Sequence, residues 1–402
     1  LTNSKNSTVK VVNELPDIEN ELIIESNDRD ERFFDVVRIN IETGERKLIG
    51  KNPGNIINWL TDHSGLLRVA IASDGVDSKV MYRDNENQEF KTIKHLGFME
   101  EFHPIIFTYD NKYVYVASNV KSDRVAIIKY DLANDYELEI IYEHPKVDVK
   151  KMYYSRKKEK TVGVSFITWK TENLFWDAER DSLQRVLEKK LPGVEVTLVS
   201  LNKNEDKVLV RTYSDKSYGA YYFYDVVTHN FVKLTEISPW LNEKNMAEMK
   251  PISYIARDGL TIHGYLTLPN IVNAQNLPSV ILPHGGPWYR DSWRFNSLVQ
   301  FLANRGYAVL QMNYRGSTGY GKKFFEAGFK EWGLKIQDDV TDGTEWLIKQ
   351  GIADPNRIAI FGSSFGGYIA LSGLAFTPDL YSCGIVNAGI SDIISFLESI
   401  PP

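Results

Sequence analysis

Residues 358–370 read IAIFGSSFGGYIA, an apolar run, a glycine–serine turn, and a second run of small and apolar residues. The turn has the pattern G-x-S-x-G with Ser364 at its centre, preceded by a predicted strand and followed by a predicted helix. Gly362 and Gly366 remove side chains where strand and helix nearly touch. The helix N-terminus favours negative charge, and the Phe365 amide is placed to stabilise an oxyanion. The stretch therefore predicts a nucleophilic Ser364; the alternative is a glycine-rich turn with a capping serine.

Strands and helices alternate through the chain on both sides of this turn. Residues 280–282, 307–313, 357–361 and 383–387 have strand patterns, and 295–304, 338–350 and 366–375 have helical ones. Alternation of this kind predicts a mostly parallel sheet covered by helices on both faces. Residues 249–402 are therefore predicted to be an α/β domain.

Two further segments follow strands of the predicted sheet. His284 opens the sequence H-G-G-P, and a loop of this type donates an oxyanion amide in α/β-hydrolases. Because the order in that fold is serine, acid, histidine, and His284 precedes Ser364, we expect a structural role for His284. The second segment, 313–321, reads NYRGSTGYG. The phenol of Tyr320 either donates to an oxyanion or packs, and the spacing leaves both open.

The first part of the chain contains a repeat. Asn40, Asp84, Asp131, Asp177 and Asp225 each follow a strand pattern, at steps of 44, 47, 46 and 48 residues. A second series of strand patterns (67–72, 113–118, 161–165 and 207–211) runs out of phase with it. A period of ~40–50 residues is that of a β-propeller blade, whereas a β-sandwich has no reason to repeat one hairpin at constant period. Residues 1–248 are therefore predicted to form about five blades of an incomplete propeller.

Composition excludes several classes of protein and site. The 402 residues carry a net charge of −6 and a single cysteine, Cys383. This excludes an internal disulfide framework and any cysteine-built metal site, and it gives no indication of a nucleic-acid partner. We expect no cofactor and no metal, because neither a metal-binding motif nor a phosphate-binding P-loop occurs. No apolar run is long enough to code a transmembrane helix, so we expect a soluble protein. Its compartment, cytoplasmic or periplasmic, stays open.

The combination of H-G-G-P, N-Y-R-G-S-T-G-Y-G and G-S-S-F-G-G, following propeller repeats, resembles the prolyl oligopeptidase family of serine peptidases. It looks most like the acylaminoacyl-peptidase branch, and the resemblance covers the whole chain. It implies that Ser364 forms the acyl-enzyme and that the Phe365 amide lines the oxyanion hole. It implies Tyr320 as the second donor, with the Gly286 amide as the alternative. It also implies short peptides as substrates.

One departure from the family pattern concerns the catalytic triad. The family's Asp and His follow the nucleophile well downstream, whereas all seven histidines of this sequence precede Ser364. Asp392 lies too soon after the turn to be the triad acid. We therefore expect the triad Asp and His beyond residue 402, a hydrolase domain truncated after the strand that follows the turn, and little activity of these residues alone, because a serine without its base is a poor nucleophile.

Rival functions remain open from the sequence. Glu100-Glu101 is an adjacent acidic pair of the kind with which dipeptidyl-peptidase relatives bind a free amine, but its place before a strand favours a solvated turn. An esterase would use the same acyl chemistry. A non-catalytic propeller interaction protein with a degenerate hydrolase domain is the alternative from another class. Assembly as a homo-oligomer also stays open.

Overall fold

The structure, a computed structural model, describes residues 7–271 and 274–399. The chain divides into two compact units, one up to Pro145 and one from Lys146 on. The predicted domain boundary, between residues 248 and 249, marks the change from strand repeats to alternating strands and helices. It differs from the division into compact units and stays a prediction.

The first unit contains three four-stranded antiparallel sheets, each made of strands consecutive in sequence. This meander is the architecture of a propeller blade. The strands are β1 (Val9–Asn13), β2 (Glu21–Asp30), β3 (Phe33–Asn40), β4 (Arg46–Gly50), β5 (Ile56–Thr61), β6 (Leu67–Ser73), β7 (Ser78–Tyr82), β8 (Lys91–Leu96), β9 (Phe102–Phe107), β10 (Val114–Ser118), β11 (Ala126–Asp131) and β12 (Tyr136–Tyr142).

The second unit begins with two more sheets of the same kind, one of three strands and one of four. Their elements are β13 (Val149–Ser155), β14 (Lys160–Ile167), β15 (Thr171–Phe175), the helix α1 (Ala178–Lys190), β16 (Glu195–Leu201), β17 (Lys207–Tyr213), β18 (Ala220–Asp225) and β19 (Phe231–Glu236). The five consecutive sheets confirm the predicted blade architecture.

Three polar residues of the repeat are the last residues of the third strands of their sheets, where their side chains form the following turn. Asn40, Asp131 and Asp225 each close such a strand. In each case a side-chain oxygen accepts hydrogen bonds from the amides two and three residues further on. This local hydrogen bonding gives the chain a turn at a constant place in the blade.

The prediction is wrong for the fourth residue of the repeat, Asp177, where a turn to another strand was expected. Asp177 does not open a hairpin: it caps α1, accepting a hydrogen bond from the amide of Arg180 at 3.1 Å. The helix therefore follows β15 where the other sheets have a fourth strand. Asx turns and helix N-caps use the same side-chain acceptor, and the residues after Asp177 are strong helix formers, so the motif alone did not separate the two.

A six-stranded sheet follows, with strand order β20-β21-β23-β22-β24-β25. Neighbouring strands from β23 to β25 are parallel, and β20 and β21 form an antiparallel edge. The strands are β20 (Met249–Ile255), β21 (Thr261–Thr267), β22 (Leu277–Ile281), β23 (Ala308–Asn313), β24 (Ala353–Ser363) and β25 (Cys383–Asn387). A mostly parallel sheet with this antiparallel edge agrees with the predicted α/β-hydrolase architecture.

Helices connect and cover the strands of this sheet. They are α2 (Ser297–Ala303), α3 (Lys322–Glu326), α4 (Lys335–Lys349), α5 (Phe365–Phe376) and α6 (Ile393–Ser399), and a 3₁₀ turn at Glu243–Asn245 precedes the sheet. Ile281, Leu310 and Ile360 of the central strands are fully buried in one cluster with Ile336 and Val340 of α4. No helix among the described residues is both long and apolar enough to cross a bilayer.

Candidate active site

Three loops meet at one edge of the six-stranded sheet. Strands β22, β23 and β24 are parallel and end at Ile281, Asn313 and Ser363. Since the carboxyl ends of parallel strands share one edge, the H-G-G-P segment, the 313–321 loop and Ser364 follow from the same edge. This is the edge at which ligands bind in open α/β sheets.

Ser364 occupies a strained turn between β24 and α5. Its backbone has φ 56° and ψ −121°, a combination that non-glycine residues rarely adopt. The Ser364 amide donates to the carbonyl of Asn387 on β25 at 3.0 Å, and the Ser364 carbonyl accepts from the amide of Tyr368 at 3.1 Å. Backbone hydrogen bonds from a neighbouring strand and from the helix thus maintain the strained conformation.

Glycines make this turn possible because backbone fills the space where side chains would stand. A Cβ on Gly362 would lie 1.9 Å from the carbonyl oxygen of Gly366. A Cβ on Gly366 would lie 2.3 Å from the carbonyl oxygen of Pro283. The glycine requirement inferred from G-x-S-x-G therefore has two causes. A side chain at Gly362 would clash with the backbone of the helix, and one at Gly366 would clash with the backbone of the H-G-G-P segment.

The Ser364 hydroxyl is not used as a helix cap. Ser364 is the residue before α5, but its side chain makes no capping hydrogen bond, and the residue is exposed. Phe365 is the first residue of the helix, so its amide is one of those without an intrahelical acceptor. Its fully buried side chain packs against Trp332 with a ring-centroid distance of 4.6 Å. The capping alternative for Ser364 is thus not what the geometry shows.

The H-G-G-P segment lies directly against this turn. A Cβ on Gly285 would lie 3.1 Å from the Ser363 carbonyl oxygen and 3.5 Å from the Ser364 Cβ. Gly286 has φ 131°, and a Cβ there would meet the amide nitrogen of Trp288 at 2.7 Å. The structure therefore brings the loop of Gly286 next to Ser364 and Phe365.

His284 is enclosed by hydrogen bonds. Its Nε2 lies 2.9 Å from the Ser317 hydroxyl, and its Nδ1 lies 2.8 Å from the Gly285 carbonyl oxygen and 3.1 Å from the Tyr314 hydroxyl. Burial lowers the pKa of His284 to about 4, so the ring is neutral near pH 7. These contacts agree with the structural role expected for His284.

The 313–321 loop is attached both to the H-G-G-P segment and to the domain core. The Tyr314 hydroxyl donates to the His284 carbonyl at 2.8 Å. The Arg315 guanidinium donates to the fully buried Asp339 carboxylate on α4, at 2.8 and 2.6 Å, and to Asp258, at 2.7 and 3.0 Å. Because Arg315 pairs with two carboxylates at once, it holds the start of the loop against the domain core.

Tyr320, at the far end of this loop, lies in a second cluster. Its hydroxyl accepts hydrogen bonds from Asn313 Nδ2 at 2.8 Å and from Arg290 at 2.9 Å. Its ring is stacked on His263 with centroids 5.4 Å apart. Burial raises the pKa of Tyr320, so the phenol keeps its proton at neutral pH. Tyr320 also lines a cavity of about 390 Å³ together with His263 and Tyr265.

The predicted residues thus fall into two groups. The Gly285 backbone approaches Ser363 and Ser364, and Phe365 follows Ser364 directly in the chain, whereas Tyr320 is held by a separate set of partners. Arg290 and Asn313 carried no role in the sequence interpretation. Asn313 was visible as the polar end of a buried strand, whereas nothing in the sequence around Arg290 distinguished it. In the described ranges, no cluster of three or more His, Cys, Asp or Glu side chains has metal-binding geometry.

Comparison with known proteins agrees with this architecture. Residues 293–400 match the prolyl oligopeptidase family. The chain is 32% identical over 414 residues to dipeptidyl aminopeptidase BIII of Pseudoxanthomonas mexicana, a match covering 100% of this chain. Over 142 residues, 35% of this chain and 19% of the relative, it is 30% identical to the acylamino-acid-releasing enzyme of Sus scrofa. The resemblance to the prolyl oligopeptidase family is therefore confirmed, whereas the acylaminoacyl-peptidase branch is not singled out, since that relative matches over only 35% of the chain.

A solved structure supports the fold over nearly the whole chain. The puromycin-hydrolyzing peptidase of Mycobacterium tuberculosis superposes with a TM-score of 0.73 at 20% identity, covering 95% of this chain and 61% of that one. The chain spans 59% of dipeptidyl aminopeptidase BIII.

Proposed function

We propose that this chain, which resembles the prolyl oligopeptidase family throughout its length, carries the nucleophile of a serine peptidase acting on short peptides. The Ser364 hydroxyl oxygen attacks the substrate carbonyl carbon and gives its proton to the base. The amine product leaves with a proton, and water then releases the acyl group from Ser364. The observation that carries the proposal is the exposed, uncapped Ser364 at a strained strand–helix turn.

The oxyanion of the tetrahedral intermediate needs two donors. The Phe365 amide is one, because it opens α5 next to the nucleophile. The Tyr320 hydroxyl is the second, with the Gly286 amide as the alternative. Loss of Tyr320 as donor in Tyr320→Phe should lower kcat by about 10²–10³, with little change in KM. A drop of less than about threefold would assign the role to Gly286.

His284 does not fit the role of the triad base. His284, which precedes Ser364 in the chain, has both ring nitrogens in hydrogen bonds. Its low pKa also makes it a weak proton acceptor. For a parent protein that continues beyond Pro402, we propose that an Asp and then a His of that continuation complete the triad.

Labelling with a fluorophosphonate tests the nucleophile in the full-length protein that contains this chain. Ser364→Ala should abolish covalent labelling. Ser363→Ala, a matched change at the neighbouring exposed serine, should leave labelling intact. Labelling that persists in Ser364→Ala would refute the assignment. Absence of labelling in the wild type would favour a non-catalytic interaction protein.

Our proposal for the substrate type is based on how much of the chain two relatives match. The dipeptidyl aminopeptidase matches over the whole chain, whereas the acylamino-acid-releasing enzyme matches over about a third. We therefore infer a preference for release of dipeptides from a free N-terminus. The Glu100 carboxylate accepts from the Gly97 amide at 3.1 Å within a turn, which supports the turn interpretation of Glu100-Glu101. Two chromogenic substrates, a dipeptide with a free amine and an N-acetylated amino acid, distinguish the two activities. An ester of the same acyl group tests for an esterase.

A further inference from the structure

A cavity of about 670 Å³ is formed by parts of the chain that have no role in the proposed reaction. Its walls come from the turn between β17 and β18, from the 237–246 segment that follows β19, and from residues 295–305 around α2. Among the described residues that line it, none belongs to the Ser364 turn, the H-G-G-P segment or the 313–321 loop. Its volume is that of a small-molecule site, which typically measures about 300–1,000 Å³.

One buried side chain joins the three walls of this cavity. Gln300 of α2 is buried, and its Oε1 accepts from the Ala247 amide at 2.8 Å. Its Nε2 donates to the Ala247 carbonyl at 2.8 Å and to the carbonyl of Asp215, in the β17–β18 turn, at 2.9 Å. The Nδ2 of Asn304 also donates to the Asn245 carbonyl at 3.2 Å. Because these hydrogen bonds attach α2 to both other walls, the cavity does not depend on a ligand for its shape.

Aromatic rings make up much of the apolar lining. Trp240 is 78% exposed and Phe301 is 51% exposed. Tyr218 and Phe295 also line the cavity, with their ring centroids 4.4 Å apart. Large aromatic side chains gain free energy when they are buried, and an exposed group of them is typical of a binding site. The lining therefore favours a ligand with an apolar, aromatic body.

The charge of the lining is positive. Arg305, just after α2, is the one charged side chain among the described residues that line the cavity. Its guanidinium carbon lies 3.5 Å from the Phe301 ring centroid, and its Nη1 donates to the Phe301 carbonyl at 3.1 Å. No carboxylate in the described part of the chain forms an ion pair with Arg305. Since a guanidinium has five N–H donors, Arg305 is held beside the rings with donors left for an anion.

We propose that this cavity binds a small organic carboxylate with an aromatic body. The carboxylate pairs with Arg305, and the aromatic body packs against Trp240 and Phe301. One guanidinium compensates one negative charge, so a monocarboxylate fits better than a phosphate group, whose additional charge would have no partner. Binding in this cavity involves no step of the reaction at Ser364.

Isothermal titration calorimetry with naphthylacetate tests the proposal in the full-length protein that contains this chain. The acid should bind with a Kd of about 1 mM or lower. Naphthylacetamide has nearly the same shape without the negative charge. The amide should bind about tenfold more weakly than the acid, because a hydrogen bond to a charged group contributes more than one between neutral groups.

Two substitutions locate the binding site. Arg305→Gln should weaken binding of the acid about tenfold and change the affinity for the amide less than about threefold. Trp240→Ala should weaken binding of both compounds about fivefold or more, because it removes a ring that contacts the aromatic body. Both side chains are exposed, so both variants should fold. Arg185→Gln, at an exposed arginine that pairs with Asp181 at 2.7 Å on α1, is the control and should leave both affinities unchanged.

Absence of naphthylacetate binding would overturn the proposal, and so would equal affinities for the acid and the amide. An affinity for the acid that neither Arg305→Gln nor Trp240→Ala changes would place the acid elsewhere and would also overturn it. Fluorophosphonate labelling of Ser364 should be the same in the wild type and in both variants. Labelling therefore tests the proposed function separately from this binding site.

Discussion

Substituting alanine for Gly366 should move the H-G-G-P segment away from Ser364. The added methyl carbon would lie 2.3 Å from the Pro283 carbonyl oxygen, 3.1 Å from the His284 carbonyl oxygen and 3.2 Å from the His284 carbonyl carbon. All three atoms are backbone, so no side-chain rotation relieves the overlap. An ordinary contact begins at 3.4 Å, so the helix and the H-G-G-P segment must move apart by about 1 Å.

Both stability and rate should respond. Overpacking of this kind costs about 1–3 kcal/mol of unfolding free energy. A displacement of ~1 Å between groups that act on one transition state costs ~10²-fold in rate. The movement separates Phe365, at the head of α5, from Gly285 and Gly286. We therefore expect Gly366→Ala to fold with reduced stability and to lose about two orders of magnitude in kcat.

Urea denaturation and kcat for a short chromogenic peptide, both in the full-length protein, measure the two effects. Gly97→Ala is the control, because the nearest atom to a Cβ there is the Glu100 Oε2 at 3.9 Å; it should change neither quantity. A kcat within about threefold of wild type at native stability would refute the reasoning, since the loop would then not depend on the close approach at Gly366.

Three further predictions concern side chains that stabilise the fold. Arg315→Met should lower the unfolding free energy by about 3–5 kcal/mol, because it leaves the fully buried Asp339 carboxylate unpaired. Arg185→Met, which removes an exposed ion pair with Asp181, should cost less than about 1 kcal/mol in the same urea titration. The Arg315 hydrogen bonds lower the pKa of Asp258 from 3.8 to about 2, so the stability that this carboxylate adds is present above pH 4 and lost between about pH 4 and 2. Urea midpoints of wild type and Asp258→Asn should therefore converge over that range, and a difference independent of pH would contradict the pairing. Asp177→Ala should destabilise by about 1–2 kcal/mol through loss of the α1 cap, with Asp177→Asn retaining most of the capping contribution.

The sequence alone was sufficient for features that depend on neighbours along the chain. The turn at Ser364 could be predicted because only glycine tolerates the approach seen at Gly362 and Gly366, and that requirement is visible as G-x-S-x-G. The blade period could be predicted because Asn40, Asp131 and similar residues make turns with amides two and three positions away. The α/β domain followed from the alternation of strand and helix patterns, since each pattern reflects the period of a single element.

Asp177 marks the limit of such local reasoning. Its carboxylate serves equally as a turn or a cap acceptor, and the choice between strand and helix depended on what the following residues pack against. The repeat predicted the position of a polar residue but not the element after it.

The hydrogen-bond direction at Tyr320 was decided only by the tertiary structure. Asn313 and Arg290 are separated by 23 positions in the sequence, and they meet at the phenol because β23 ends where the chain leaving β22 returns to the same sheet edge. The sequence could therefore name Tyr320 as a residue that donates or packs, but it could not show that the hydroxyl accepts hydrogen bonds from Asn313 and Arg290. Which atoms accept and which donate depends on partners brought together by the order of strands in the sheet, and neither residue type nor spacing encodes that order locally.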